Sequence, residues 1–279
     1  MLNYSIVDTI IKNSLEEDIP YGDITSVSLV TKGSNAKASL IAKEDGIICG
    51  LPVFKRVFTI LGQVEFISLF EEGSKVKSGD IIGEVKGDAL NILMGERVAL
   101  NLLQKMSGIA TLTNKYVNEL KGLNTKILDT RKTTANLRVL EKYSVKIGGG
   151  NNHRFSLSDG ILIKDNHIGY AGSIKEAIRL TKEKSSFIRK IEVETESKED
   201  VIEALEAGAD IIMLDNMSPS QVAEMVKLID GRALTECSGN ITLDTVRNYA
   251  LSGVDVISSG ELTHSVKAFD ISLKNFIQL

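Results

Sequence analysis

Residues 148–167 read GGGNNHRFSLSDGILIKDNH, holding two of the chain's three histidines, His153 and His167, beside Arg154 and Lys164. Guanidinium forks match carboxylates through paired hydrogen bonds, and an ammonium serves phosphate as a mobile point charge. Arg131 and Lys132 stand a short way upstream. Residues 131–167 carry seven basic against three acidic side chains, so the segment is +4 and the rest of this −4 chain is −8. A cationic patch on an acidic protein suits a small polyanion in a focused site. A nucleic-acid surface would need a broader excess of positive charge. Part of the patch, Arg138, Lys142 and Lys146, recurs at helical spacing and reads as a solvated basic face. Zinc chemistry is disfavoured, because no HxxxH or Cys/His spacing occurs.

The groups are positioned by a repeated unit. Apolar, β-prone runs fall at 125–130, 160–165, 188–195, 209–216, 233–239 and 254–260. The last four are spaced by about twenty-one residues, enough for a strand, a turn and a helix. Helix ends lie between them. Ser173 to Glu176 reads as a capping box, and Ser218-Pro219 as an N-cap with a proline at the first helical position, closed by Gly231. Six such units predict an α/β fold, a parallel sheet covered by helices and curling into a barrel. Polar residues gather at one end of each strand: Asp129-Thr130-Arg131-Lys132, Lys164-Asp165-Asn166-His167, Glu194, Asp215-Asn216, Ser238-Gly239-Asn240 and Ser259-Gly260-Glu261. Those are the C-terminal ends, where α/β barrels keep their active sites.

At 279 residues the chain accommodates a barrel and a smaller partner domain. Residues 5–16 predict an amphipathic helix with Ile6, Val7, Ile10, Ile11 and Leu15 on one face. After Tyr21 the chain turns strand-like, and a helix is expected from near Leu93. EEGSKVKSGDIIGEV looks like the hairpin of a lipoyl carrier, with Lys75 or Lys77 at its tip; a β-rich domain beside the barrel is the preferred reading. With 43% hydrophobic and 25% charged residues, the composition is that of a soluble globular protein. No apolar run reaches the roughly eighteen residues of a membrane span. The start lacks a basic leader, and Cys49 and Cys237 belong to no CxxC pair, so a cytoplasmic protein with reduced thiols is expected.

The chemistry can be narrowed further. Ser238-Gly239-Asn240 and Ser259-Gly260 each sit between a strand and a helix start, where exposed N–H groups can cradle phosphate. Glu194 and Asp215 face the same mouth, and beside a phosphate they would hold Mg²⁺, directly or through water, or ribose hydroxyls. The residues alone therefore indicate a Mg²⁺-assisted enzyme acting on a phosphorylated sugar and a carboxylated partner.

TRKTTANLRVLEKYSVKIGGGNNHRFSLSDGILIKDNHI resembles the core motif of the quinolinate phosphoribosyltransferases, the carboxylating nicotinate-nucleotide pyrophosphorylases. EDIPYGDITS, GERVALNLLQKMSGIAT, IEVET, AGADIIMLDNM, ECSGNIT and GVDVISSGELTHS support it in order along nearly the whole chain. The resemblance implies transfer of phosphoribose from phosphoribosyl pyrophosphate to quinolinate with loss of CO₂, giving nicotinate mononucleotide for NAD biosynthesis. It implies an open-faced N-terminal sandwich over residues 1–105, rejoined by 266–279, and an incomplete barrel over 106–265. A homodimer with shared sites is implied, and whether dimers build into hexamers stays open. Arg131, His153, Arg154 and Lys164 would hold the quinolinate carboxylates, with Arg97 supplied by a neighbouring subunit. Lys132 would bind phosphate beside Thr130, and Glu194 and Asp215 would attend ribose and Mg²⁺. Ser238, Gly239, Asn240, Ser259, Gly260 and Glu261 would hold the 5′-phosphate.

Two positions depart from the family pattern. Ala135-Asn136 replaces Pro-Gly, which the left-handed tolerance of Asn can accommodate. Glu261 replaces a small residue; its backbone is expected to serve the loop, with its charge favourable at a helix start. His167 and His264 read equally well as buried supporting histidines or as ligand contacts. Three rival readings are a relative associated with molybdenum transport, which lacks intact NHR and IKDNH elements, an aldolase using Lys164 as a Schiff-base amine, and a carrier built on the EEGSKVKSGD hairpin, residues 71–80.

Overall fold

In the first hundred residues small and branched apolar side chains alternate with polar ones, as in Ala36, Ala38, Leu40 and Ala42, all buried. This period of two puts one face of a strand on a core. In a computed structural model, which describes residues 2–279, strands β1 (Asn35–Ala42), β3 (Val64–Ser68), β5 (Ile81–Asp88) and β12 (Ile271–Gln278) form an antiparallel sheet ordered β12-β1-β5-β3. Helix Leu51–Leu61 supplies Phe54 and Phe58 to the core; Phe54 meets Phe58 and Phe66 edge to face, with centroids at 5.2 and 4.9 Å. Helix Tyr4–Asp18 buries Val7, Ile10, Ile11 and Leu15. Ile6, expected on that face, is largely exposed.

The segment resembling a carrier hairpin is not a hairpin. Strand β4 (Lys75–Val76) pairs with β2 (Gly46–Ile47), while β5 pairs with β1 and β3. The turn between β4 and β5 is pinned by Asp80, which accepts from the Lys77 amide, and by Asp45, which accepts from that of Ser78. Helix Ala89–Glu119 begins ahead of the expected Leu93.

Two compact units emerge, the first built of residues up to Asn114 with Thr133–Gly149 and Leu262–Leu279, the second of Lys115–Lys132 and Gly150–Glu261. These bounds differ from the 105/106 division drawn from the sequence. The main difference is helix Arg138–Ile147, assigned to the barrel by position but grouped with the first unit. Its Leu140 is part of the first unit's apolar cluster, and Leu137, Tyr143 and Ile147 pack on the same cluster. The basic stripe is accordingly not a solvated face throughout. Lys146 is exposed and Arg138 half-buried, but Lys142 is buried.

The second unit is the α/β part. β6 (Lys126–Leu128), β7 (Ile161–Ile163), β8 (Ile191–Thr195), β9 (Ile211–Asp215), β10 (Leu234–Ser238) and β11 (Val256–Ser258) are all parallel, ordered β6-β11-β10-β9-β8-β7. β6 and β7 end the order without pairing to each other, so the barrel is incomplete. The free edge of β6 is met by Asn151, whose N–H donates to Ile127 and whose carbonyl accepts from Asp129. Caps set the helix starts. Ser197 and Ser218 form reciprocal boxes with Asp200 and Gln221. At Ser173 only half the expected box forms: its hydroxyl accepts from the Glu176 amide, while the Glu176 carboxylate takes Arg179.

Candidate active site

Strand period two decides which side chains meet at the C-terminal mouth. Leu162 and Lys164, Met213 and Asp215, and Glu236 and Ser238 are pairs two residues apart, and all six line one pocket of 480 Å³ with Glu194 and Ser258. Thr130, Arg131 and Lys132, which follow β6, complete it with His153 and Arg154. Nine residues expected at the site from the sequence are thus brought together: Thr130, Arg131, Lys132, His153, Arg154, Lys164, Glu194, Asp215 and Ser238.

Charge is divided across the pocket. The Lys164 ammonium is ion-paired with Glu194. Its side chain is 42% exposed, far from the dry apolar setting that an amine nucleophile needs. Arg154 is lowered from the ordinary guanidinium value, first by burial and then by the like charge of Arg131. Cations crowded in this way are the mark of a site awaiting an anion. Asp215 is raised, first by burial and then by Glu194. Carboxylate oxygens of Glu194, Glu196 and Asp215 lie within 4.8 Å of one another. An all-oxygen donor set with surplus negative charge fits a hard divalent cation. Glu196 was missed in the sequence, although it continues the Glu192, Glu194 alternation.

The pocket floor holds the larger omission. His153 Nε2 lies 3.2 Å from Glu192 and 3.4 Å from Glu236, and both acids are buried. Ser258 donates to Glu236 at 2.6 Å. Burial opposes a charged ring, but hydrogen bonds from the two glutamates outweigh it and lift His153 to about 10. Burial in turn pushes Glu192 up. The Arg154 amide approaches His153 Nδ1 at 2.7 Å, so the partners assign the ring's proton to Nε2. His153 and Glu192, in contact and both shifted upward, titrate as a pair. The cluster's signal in the sequence was the spacing of Glu192 from Glu194 and of Glu236 from Ser238. Asp129, also buried, accepts from the His153 amide at 2.9 Å and from Asn152, which fixes where the 151–154 segment leaves the β6 edge.

Two loops follow β10 and β11. Gly239 has φ +94°, and a Cβ there would lie 2.2 Å from Asn216 Oδ1, so the loop requires glycine. Asn240, also left-handed at φ 53°, donates to the same Asn216 oxygen. Gly239, Asn240, Ser259, Gly260 and Glu261 adjoin the strand ends without lining the pocket. The Glu261 side chain accepts from the buried Tyr116 hydroxyl, which accounts for its charge. His167 caps helix Asp165–Ala171 through Nδ1, which accepts from the Lys164 amide at 2.9 Å; it is exposed, not buried. His264 is exposed as well and contacts Ser265. Asn136 has φ 66°, the conformation that its replacement of glycine demanded. Arg97 lies in the first unit on helix Ala89–Glu119. It is exposed beside Glu17, Asp18 and Asn101, with no hydrogen bond or ion pair among the described residues.

Residues 23–107 match the N-terminal domain and residues 109–274 the C-terminal domain of quinolinate phosphoribosyl transferase. A probable nicotinate-nucleotide pyrophosphorylase (carboxylating) of Bacillus subtilis is 45% identical over 98% of this chain and 94% of its own. Its counterpart in Methanocaldococcus jannaschii is 48% identical over 95% of each. The crystal structure of NadC from Streptococcus pyogenes, 45% identical, superposes with a TM-score of 0.96 over 100% of this chain and 99% of that one. With both domains matched and the pocket residues in place, the chain belongs to the quinolinate phosphoribosyltransferase family.

Proposed function

We infer that this chain transfers phosphoribose from phosphoribosyl pyrophosphate to quinolinate and releases pyrophosphate and CO₂, forming nicotinate mononucleotide for NAD biosynthesis. The observation that carries the reading is one pocket in which Arg131, Lys132, Arg154 and Lys164 face Glu194 and Asp215. Cations suit a dicarboxylate and a diphosphate, and the acids suit ribose hydroxyls and a metal. The pyridine nitrogen attacks C1 of the sugar while pyrophosphate leaves, so no general base is required. Arg131, Arg154 and Lys164 orient the dicarboxylate, and orientation with charge stabilisation lowers the barrier. The Lys164–Glu194 pair must part when substrate binds, handing the ammonium to a carboxylate and the acid to ribose or metal. The pyridinium nitrogen then draws in the electron pair left by CO₂, and a proton takes its place on carbon. Glu194 and Asp215 would hold Mg²⁺, directly or through water, and the bound ion would neutralise charge on the leaving pyrophosphate.

The main assay follows nicotinate mononucleotide and CO₂ from quinolinate plus phosphoribosyl pyrophosphate, expected in equal amounts. Nicotinate should be a poor substitute, since each cation left unpaired in the pocket costs about 1–3 kcal/mol. Comparable turnover of nicotinate would refute the carboxylate roles.

Arg97, which makes no hydrogen bond or ion pair among the described residues, is proposed to complete the pocket of a second copy in a homodimer. Arg97→Ala and Lys164→Ala proteins should each be nearly inactive, yet regain about a quarter of wild-type activity after subunit exchange, since a mixed dimer has one intact pocket. No recovery after demonstrated exchange would exclude the shared site. The cytosol is the proposed location: both cysteines are free and buried, and no helix among the described residues is long and apolar enough to cross a membrane.

A further inference from the structure

The second unit has another opening, at the N-terminal ends of its strands. A cavity of 560 Å³ lies there, bounded by Ile161, Ile211, Leu234 and Val256 at the starts of β7, β9, β10 and β11. Side chains in layers usually fill this end of a barrel. Here Leu234 is 45% exposed and Ile188, on the rim, 76%. Apolar surface around a cavity of ligand size is the ordinary composition of a small-molecule site.

Its charges are unevenly satisfied. Arg154 and Arg189 each give one guanidinium nitrogen to a backbone carbonyl, of Gly160 and Ser158, and Lys190 makes no hydrogen bond among the described residues. None of the three makes an ion pair within 4 Å among the described residues, although the charge of Glu192 acts on Arg154 from farther away. The acids at the cavity are already engaged. Asp159 accepts from the Phe155 amide, Asp255 from the amide and hydroxyl of Thr235, and Glu192 and Glu236 belong to the His153 cluster. The unmet demand is for negative charge.

His153, Arg154 and Glu236 line this cavity and the C-terminal pocket alike. We propose that the N-terminal mouth is a second binding site, for a small amphipathic anion, and that its occupancy alters quinolinate affinity through Arg154. An apolar body would rest on Ile161, Ile211, Leu234 and Val256, with a carboxylate or sulfonate between Arg189, Lys190 and Arg154. The coupling rests on the reading that Arg154 serves quinolinate; the site itself does not. Coupling between two ligands is reciprocal, so it can be read from either side.

The probe is 8-anilinonaphthalene-1-sulfonate, an aromatic body bearing one sulfonate, titrated by fluorescence into the full-length protein. One saturable site per chain is expected, still occupied at saturating quinolinate. The exposed pair Arg189→Ala/Lys190→Ala should weaken the probe by about tenfold while leaving phosphoribosyl transfer unchanged. Leu234→Glu, which puts like charge beside the sulfonate, should abolish binding, with thermal unfolding checked in each variant. Quinolinate's dissociation constant, measured by calorimetry, should change when the probe is present. Full displacement of the probe by quinolinate, or undiminished binding in the double variant, would overturn the site. Binding with no change in quinolinate affinity would overturn the coupling. A chain inactive in phosphoribosyl transfer that still bound the probe in this pattern would leave the site standing and remove the reading on which the coupling rests.

Discussion

The two mouths of the incomplete barrel are made by the same strands and differ in nearly every side chain. At the N-terminal mouth the strands begin with Ile161, Ile211, Leu234 and Val256; at the other they finish with Asp215 and Ser238 or run on to Lys164. β10 shows the gradient within one strand, as Leu234, Glu236 and Ser238 pass at steps of two from apolar rim through titratable floor to polar mouth. Backbone chemistry reinforces the difference, because helices start just beyond the C-terminal ends and point their N–H groups there. Phosphate chemistry therefore belongs at one mouth, and the other is free to take a ligand held mainly by apolar contact. His153, Glu192 and Glu236 form the partition between them.

The sharpest way to break this comparison is kinetic. Lys164→Ala should reduce kcat/KM by roughly 30- to 1,000-fold, the effect of removing about 2–4 kcal/mol of transition-state stabilisation. Arg189→Ala, an equally cationic change at the opposite mouth, should stay within about twofold, as exposed substitutions do. Similar losses from both would mean that the mouths are not functionally distinct.

The partition is tested next, by stability. Glu236→Ala removes the acceptor of Ser258 and one of the two acids facing His153. Breaking such a buried pair costs about 3–5 kcal/mol, so thermal unfolding should fall by several degrees. Glu236→Gln keeps an acceptor and should lose less. Equal melting temperatures for the alanine variant and wild type would make the cluster an ornament.

How far these features were legible in the sequence follows the range of the signals. Strand positions in the second unit were readable because apolar runs recur with helix signals such as Ser218-Pro219 and Gly231 between them, and those signals are local. Lys164, Glu194 and Asp215 could be assigned to one mouth because a strand's end is a local property too. Glu192 and Glu236 were not singled out, because the partner that accompanies their burial, His153 on the segment bridged to the β6 edge, lies 39 residues from Glu192. Lys142 shows the converse. Its spacing from Arg138 and Lys146 reads as a wet stripe, and its burial depends on neighbours distant in sequence. The pairing of β4 with β2 instead of β5 is likewise a long-range choice, which the turn glycines of that segment did not reveal.

A smaller effect is expected from pH. The proton of the His153 cluster is held more tightly in the folded chain, at about 10, than the usual 6.5 of an unfolded histidine. Its stabilisation is therefore complete below about pH 6.5 and is lost as pH rises towards 10, with a slope of at most about 1.4 kcal/mol per unit. Denaturation series from pH 6 to 10 should show a steeper decline for wild type than for Glu236→Gln. Parallel curves would mean that the floor carries no retained proton.

The smallest expected change concerns the loop after β11, at the rim of the C-terminal mouth. Tyr116 is buried, and its hydroxyl donates to Glu261, while the Ser259 hydroxyl donates to the Ile241 carbonyl. Burial first, and then Glu261, raises the phenol above its ordinary value, so the phenol keeps its proton for the carboxylate. Without that donor, Glu261 would be a charge loose in a loop proposed to hold phosphate. Tyr116→Phe should raise the KM for phosphoribosyl pyrophosphate by about fivefold, the weight of one hydrogen bond of about 1 kcal/mol, and leave the KM for quinolinate unchanged. Adding Glu261→Gln removes the repelling charge and should restore most of the loss. If the single variant weakens both substrates equally, Tyr116 supports the barrel in general, and the charge of Glu261 has no particular bearing on the phosphate end of the site.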